Sequence, residues 1–231
     1  MIVRNAVTAV AVLTSIAALS AYAIVIHPVL MRAGATDDEI RGPWPGDDLG
    51  AAGIARTTCA ITIHAPARDV WPWIVQLGQD RAGFYSYRWL ENLVGCDMPD
   101  CRSIVPAFQD RALGDTVWLA PRDRFGEIGR MTVARYEPNR AMVLVMAGDG
   151  ARLARGARMK GGSWGFILHE RSPNETRFIT RSMDNTHPSV LALAFRALVF
   201  DSMHAIMERK MMRNIKHLVE AGASRAEPCG N

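Results

Sequence analysis

Val70-Trp71-Pro72-Trp73-Ile74-Val75-Gln76-Leu77-Gly78-Gln79, continued by Gly83-Phe84-Tyr85-Ser86-Tyr87-Arg88-Trp89-Leu90-Glu91-Asn92, is the stretch on which the fold turns. It is dense in aromatic and amide side chains, and two helices fit it. The first opens at Pro66 and runs through Leu77. Pro72 falls early in it, where a missing N–H costs little because first-turn donors have no partners. The second covers Tyr85 to Val94 and ends at Gly95. Upstream, residues 57–64 (Thr-Thr-Cys-Ala-Ile-Thr-Ile-His) alternate as a strand should. Downstream, residues 116–119, 130–136, 141–147, 163–169 and 176–183 are β-branched or aromatic-rich runs. Glu137-Pro138-Asn139-Arg140 and Ser172-Pro173-Asn174-Glu175 have the turn chemistry to join neighbouring runs as hairpins. Strands with no helix between them imply an antiparallel sheet. A long helical stretch then starts at Pro188 and reaches about Glu220.

Composition bounds the alternatives. Of 231 residues, 49% are hydrophobic and 22% charged, which excludes a disordered, collagen-like or coiled-coil chain. The net charge of +4 is too diffuse to point to nucleic acid. Four Cys exclude a disulfide-built scaffold and a paired-spacing zinc site. No P-loop, dinucleotide fingerprint, nucleophile elbow or zincin motif is present, so no cofactor or metal is expected.

Residues 6–26 carry no charged side chain and are mostly Ala, Val, Leu and Ile. At ~1.5 Å per residue the run spans ~30 Å, a bilayer's hydrocarbon thickness. Arg4 and Ala21-Tyr22-Ala23 also suit a cleaved signal peptide. The apolar run nevertheless continues through Ile24-Val25-Ile26 to Val29-Leu30-Met31, beyond a signal's usual ~7–15 residues. Residues 1–32 therefore read as an uncleaved transmembrane anchor. Arg4 on one side nearly balances Arg32 and Arg41 on the other, and the globular part is expected in the cytoplasm. Residues 33–56, rich in Gly, Pro and Asp, read as a linker or extended arm, 57–222 as the folded domain and 223–231 as a disordered tail.

In the terminal helix, Phe200, Met203, Met207, Met211, Ile215 and Leu218 share one face, opposite Arg209, Arg213, Lys216 and Glu220. His204 lies within the apolar stripe, with Asp201 and Glu208 at its margin. Their i, i+3, i+7 spacing lets the three converge as a general acid–base cluster. The ordinary reading is a polar network holding helix to sheet, because buried His residues are more often structural than catalytic. The run 190–200 holds one charge, Arg196, and is too short to span a bilayer, so it is either interfacial or buried. Arg152, Arg155, Arg158 and Lys160 in residues 148–162 read either as a headgroup-binding loop or as a solvated hairpin.

The motif W-P-W-x-x-Q-x-G…G-F-Y-S-Y-x-W-L-E-N and the element order resemble the SRPBCC superfamily, the START, Bet v 1-like and polyketide cyclase/dehydrase proteins. The resemblance covers residues 35–221 and is nearest to an uncharacterised bacterial group that carries a membrane segment. It implies an α+β helix-grip fold, with an antiparallel sheet wrapped on the long terminal helix, held by one anchor in a bacterial inner membrane. A cavity is implied between sheet and helix. Trp73, Tyr85, Tyr87, Trp89 and Trp164 would give it apolar area, Gln76 and the Tyr hydroxyls hydrogen bonds, and Met203, Met207 and Met211 an adaptable wall. The partner expected is a hydrophobic small molecule, a lipid or polyketide-like compound. Two alternatives stand. One is a cyclase-, dehydratase- or hydrolase-like enzyme in which His204 with Glu208 or Asp201 moves protons while Tyr85 or Tyr87 polarises a carbonyl. The other is a structural or partner-binding module with a filled core. A departure from the group is the second Cys in residues 95–101. A Cys96–Cys101 bridge would require an exported domain, and two free thiols is the ordinary reading.

Overall fold

The computed structural model describes residues 13–15, 17–50, 54–186 and 189–222. The expected tail and the start of the anchor lie outside them. Six strands form one antiparallel sheet in the order β1-β6-β5-β4-β3-β2: β1 Ile54–Ile63, β2 Thr116–Trp118, β3 Arg130–Glu137, β4 Ala141–Met146, β5 Gly162–Ser172 and β6 Glu175–Asp184. Consecutive strands from β2 to β6 are neighbours, and β1 closes against β6 in the register Cys59↔Thr180, Ile61↔Phe178. The helix Ala67–Val75 follows β1, and the short helix Arg88–Leu93 follows the aromatic motif. Pro72 is the sixth residue of its helix, past the first-turn donors, and the helix stops at nine residues. The chain ends in one long helical rod made of Val190–Phe195, a π-turn Arg196–Phe200, and Asp201–Glu220. This is the α+β helix-grip architecture.

Period-2 alternation gives the sheet two apolar faces. Cys59, Ile63, Met142, Leu144, Phe166, Leu168 and Phe178 point inward against Val70, Ile74, Met211, Met212 and Ile215 of the helices. On the other face Ala60, Ala141, Ile167 and Ile179 are buried beneath the segment that lacks periodicity, with Ala35 and Trp44 packed on them. That segment contains the helix Asp37–Arg41, closed by a capping box in which Glu39 N donates to Thr36 Oγ1 (3.2 Å) and Thr36 N to Glu39 Oε2 (2.8 Å).

Charge holds the segment down. Arg177 and Arg181 of β6 project from the outer face. Arg177 donates to both carboxylate oxygens of Glu39 (2.7 and 2.9 Å) and to Gly34 O. Arg181 donates to Asp47 Oδ1 (2.8 Å), Ile40 O (3.1 Å) and Thr58 Oγ1 (2.8 Å). Burial alone would raise the Glu39 carboxyl. The Arg177 hydrogen bonds, the Thr36 N–H and the charges of Arg177 and Arg171 outweigh it and hold the group below its ordinary 4.5. The residue 148–162 stretch is partly helical (Ala147–Leu153) and folds back on buried Asp149, which accepts from Lys160 N (2.8 Å) and Gly161 N (2.7 Å).

The amino-terminal helix Leu13–Met31 has mean hydropathy 1.8, is unburied except at Met31, and is long and apolar enough to cross a membrane. A signal sequence meets the same test. The alternative of a Cys96–Cys101 bridge is not realised, since Cys96 is a free thiol; the ordinary reading of two free thiols holds for Cys96 and not for Cys101, which is disulfide-bonded.

Replacing Glu39 by Gln strands a buried guanidinium and is expected to cost about 3 kcal/mol near neutral pH. Because the folded-state carboxyl titrates below 4.5, its contribution is full above that value and vanishes as pH falls through the folded-state value. Thermal melts of wild type and Glu39→Gln should therefore differ widely at pH 7 and converge in acid. Equal melting at pH 7 would contradict the account.

Candidate functional site

The turn from Gly78 to Tyr87 straps the aromatic motif onto the terminal helix. Gly83 has φ 76°, and a Cβ there would sit 2.8 Å from Pro99 O. Tyr85 itself takes φ 54°, uncommon for a non-glycine residue. Its conformation is fixed from both ends: Asn214 Nδ2 donates to Tyr85 O (2.6 Å), and Gln76 Nε2 reaches the Tyr85 hydroxyl (2.6 Å). One residue on, Ser86 Oγ donates to Met207 O (3.1 Å). Beneath the strap, Arg111 donates to Val75 O and Leu77 O (both 2.7 Å) and to Thr116 O (3.2 Å), capping the preceding helix and fastening it to β2. Burial, then the nearby Arg81 charge, lower the Arg111 guanidinium to about 10, which leaves it cationic at neutral pH.

Two neighbouring hollows with shared lining residues result. A groove of about 530 Å³ runs between residues 82–102 and the carboxy-terminal half of the terminal helix. Tyr85, Tyr87 and Trp89 line it together with Arg88, Arg102, Lys210 and His217. Lys210 lies over the Tyr87 ring, 5.9 Å from its centroid. A smaller cavity of about 140 Å³ lies between the sheet and that helix, walled by Leu119, Trp164, Met207 and Met211 and holding His204 and Glu208. Phe84, Ser86 and Glu91 line both.

The smaller cavity concentrates the chemistry. Glu208 is 2% exposed. Trp164 Nε1 donates to its Oε1 (2.7 Å), and Oε2 is buried with no hydrogen-bond partner among the described residues. His204 Nε2 lies 3.7 Å from Oε1 and also lacks a partner there. Its ring stands edge-on to Trp164 at 5.2 Å, and Trp164 packs on Phe166 at 4.7 Å and Phe84 at 5.8 Å. Burial, reinforced by the Glu208 charge, pushes the neighbouring Cys59 thiol up and keeps it protonated. Glu91, 8% exposed, is raised by burial from 4.5 to about 7.

The sequence-predicted residues divide. Tyr85, Tyr87 and Trp89 line the groove; Trp164, Met207, Met211, His204 and Glu208 line the cavity. Trp73 (2% exposed) and Gln76 (0%) line neither. Gln76 spends its amide inside the core, donating to Ser103 O (3.0 Å) and accepting from Val105 N and Gln109 Nε2 (both 3.1 Å). Met203 is 44% exposed and lies outside both hollows. Asp201 does not converge with His204 and Glu208; its carboxylate lies 3.6 Å from His27 Nε2 of the amino-terminal helix. Residues missed by sequence reasoning are Phe84 and Glu91. In the helix Arg88–Leu93 the acid points inward, while Trp89 and Leu93 are 68% and 75% exposed, the reverse of the usual pattern. Among the described residues no cluster of three His, Cys, Asp or Glu side chains could hold a metal ion.

No family model matches the chain, and no curated protein matches it. Solved structures with a similar course include a protein from Staphylococcus saprophyticus, 10% identical, TM-score 0.39, covering 74% of this chain and 96% of its own. The Polyketide_cyc-like protein of Corynebacterium glutamicum is 16% identical, TM-score 0.32, covering 72% and 87%. CalU16 from Micromonospora echinospora is 15% identical, TM-score 0.29, covering 70% and 82%.

Glu91 gives a pH signature. With its folded-state value near 7 and its ordinary value at 4.5, the folded chain binds the extra proton between them. Stability should thus fall by about 3 kcal/mol as pH rises from 4.5 to 7. Glu91→Gln removes that slope. Melting profiles of wild type and variant that run parallel from pH 4.5 to 7.5 would contradict the assignment.

Proposed function

We propose that the protein is a membrane-anchored binder of a hydrophobic small molecule, lipid or polyketide-like, held between the sheet and the terminal helix. The observation that carries this reading is the buried carboxyl of Glu208 at the edge of a cavity otherwise walled by Trp164, Phe84, Leu119, Met207 and Met211, its Oε2 without a hydrogen bond among the described residues. A buried acceptor without a donor costs about 1–3 kcal/mol, more when charged. A ligand hydroxyl or N–H at that point removes the cost, while apolar walls take the ligand's body. The larger groove, with its aromatic sides and the cations Arg88, Arg102 and Lys210, offers room for the remainder of the molecule.

A second reading, an enzyme on the same scaffold, is favoured by one fact: Glu91 near pH 7 and Glu208 line one cavity. A carboxyl half-protonated at neutral pH can give or take a proton beside a second buried acidic side chain, as a cyclase-, dehydratase- or hydrolase-type reaction requires. In that reading His204 is the adjacent relay.

Full-length protein purified in mild detergent should carry an extractable apolar compound detectable by mass spectrometry, and should bind an apolar fluorophore that this compound displaces. Met207→Trp, which fills the cavity, is expected to weaken fluorophore binding at least about tenfold, or 1.4 kcal/mol, with melting temperature retained. Neither extractable compound nor fluorophore binding, in a protein that melts cooperatively, would refute the binding reading. Turnover of the extracted compound, abolished in both Glu208→Gln and Glu91→Gln, would favour the enzyme.

A further inference from the structure

We infer that the amino-terminal half of the terminal helix lies in the bilayer interface beside the amino-terminal helix, so that the sheet–helix cavity opens at the lipid. The inference rests on reading Leu13–Met31 as a membrane span. Its own ground is a patch that no part of the described chain covers. Leu193, Phe195, Leu198, Val199, Phe200, Met203 and Ile206 are each between 41% and 66% exposed, on consecutive turns of one helix. So continuous an apolar face is unusual on a water-facing monomer.

Three features favour lipid over other occupants. First, the face is joined directly to the span: the Tyr22 hydroxyl donates to Ala197 O (3.1 Å) and hydrogen-bonds Ser202 Oγ, and His27 meets Asp201. Both helices carry a π-turn here, Tyr22–Ile26 and Arg196–Phe200. A π-turn leaves a carbonyl without its usual donor. The Tyr22 and Ser202 hydroxyls supply donors from within the protein, as a lipid setting demands. Second, the two charges in this half are both engaged: Arg196 is ion-paired with Asp184 at the end of β6, and Asp201 meets His27 of the span. Third, cations follow where both helices leave the apolar zone. Arg32 comes directly after the span. Arg209 and Arg213 flank a hollow of about 210 Å³ with Ala33 and Gly34, a level suited to anionic headgroups. Since His204 and Met207 sit between the apolar face and this collar, an apolar ligand can pass from acyl chains to the cavity without crossing water.

The test uses the full chain in nanodiscs of phosphatidylcholine and phosphatidylglycerol, at one protein per disc, with a diazirine on the acyl chain of a tracer lipid. After irradiation, adducts are mapped by mass spectrometry. Expected are adducts on Leu193, Phe195, Leu198, Phe200 and Met203 at a level comparable with Leu19 and Val25 of the span. These adducts should disappear when the same photoprobe is supplied as a short-chain, water-soluble analogue. Adducts confined to the span, equal labelling by the soluble analogue, or cross-links between two copies across this face would each overturn the inference. Adducts at Met207 or Met211 report ligand entry separately, so the binding reading can fail while the interfacial placement stands.

Discussion

A carboxylate that faces inward from the terminal helix governs the site. Taking Glu208 out of water costs several kcal/mol unless hydrogen bonds replace its hydration. Trp164 supplies one at 2.7 Å, and the second oxygen is buried without a hydrogen bond among the described residues. That arrangement holds only if the helix buries the line Ala205, Glu208, Met212, Ile215, as it does. The same rotation sends Phe200, Met203 and Ile206 outward. A cavity holding a buried carboxyl within and an apolar face without are therefore two sides of one helix orientation.

Rigidity around the hollow comes from the sheet's other face. Arg177 and Arg181, satisfied by Glu39 and Asp47, clamp residues 34–50 over a face that helix-grip sheets could otherwise leave to water. The clamp begins where the amino-terminal helix ends: Ala60 N donates to Ala33 O at 3.0 Å, so that helix is continued directly into the β1 edge. The strap from Tyr85 to Ser86 closes the opposite side through Asn214 and Met207.

Strand positions were legible because half-buried strands must alternate and turns need Pro and Asn. The runs read at 130–136, 163–169 and 176–183 match Arg130–Glu137, Gly162–Ser172 and Glu175–Asp184 to within a few residues. The terminal helix was legible as a helix, and so was the inward line Met207, Met211, Ile215 and Leu218 of its carboxy-terminal half; the exposure of Phe200 and Met203 was not. Periodicity selects the most apolar line, Phe200, Met203, Met207, Met211, and takes protein as its partner. A helix with apolar residues on more than one side gives a pattern that cannot say which line meets the protein. Residues 33–50 had no period because their order comes from ion pairs formed far along the chain. Arg177 and Arg181, on one face of a strand around Ile179, were the available signal. Glu91 escaped because an acid among Leu90, Leu93 and Val94 reads as the solvent side of a short helix, whereas here the leucine and valine are the exposed ones.

The most direct measurement is a high-resolution structure of the full chain in lipid, taken from its native membrane without exchange of bound molecules. The account predicts elongated density between Trp164 and Met207, with a donor atom at hydrogen-bond distance, about 2.6–3.2 Å, from Glu208 Oε2. A sealed, vacant space in which that oxygen is satisfied by protein groups or by a lone ordered water would contradict it.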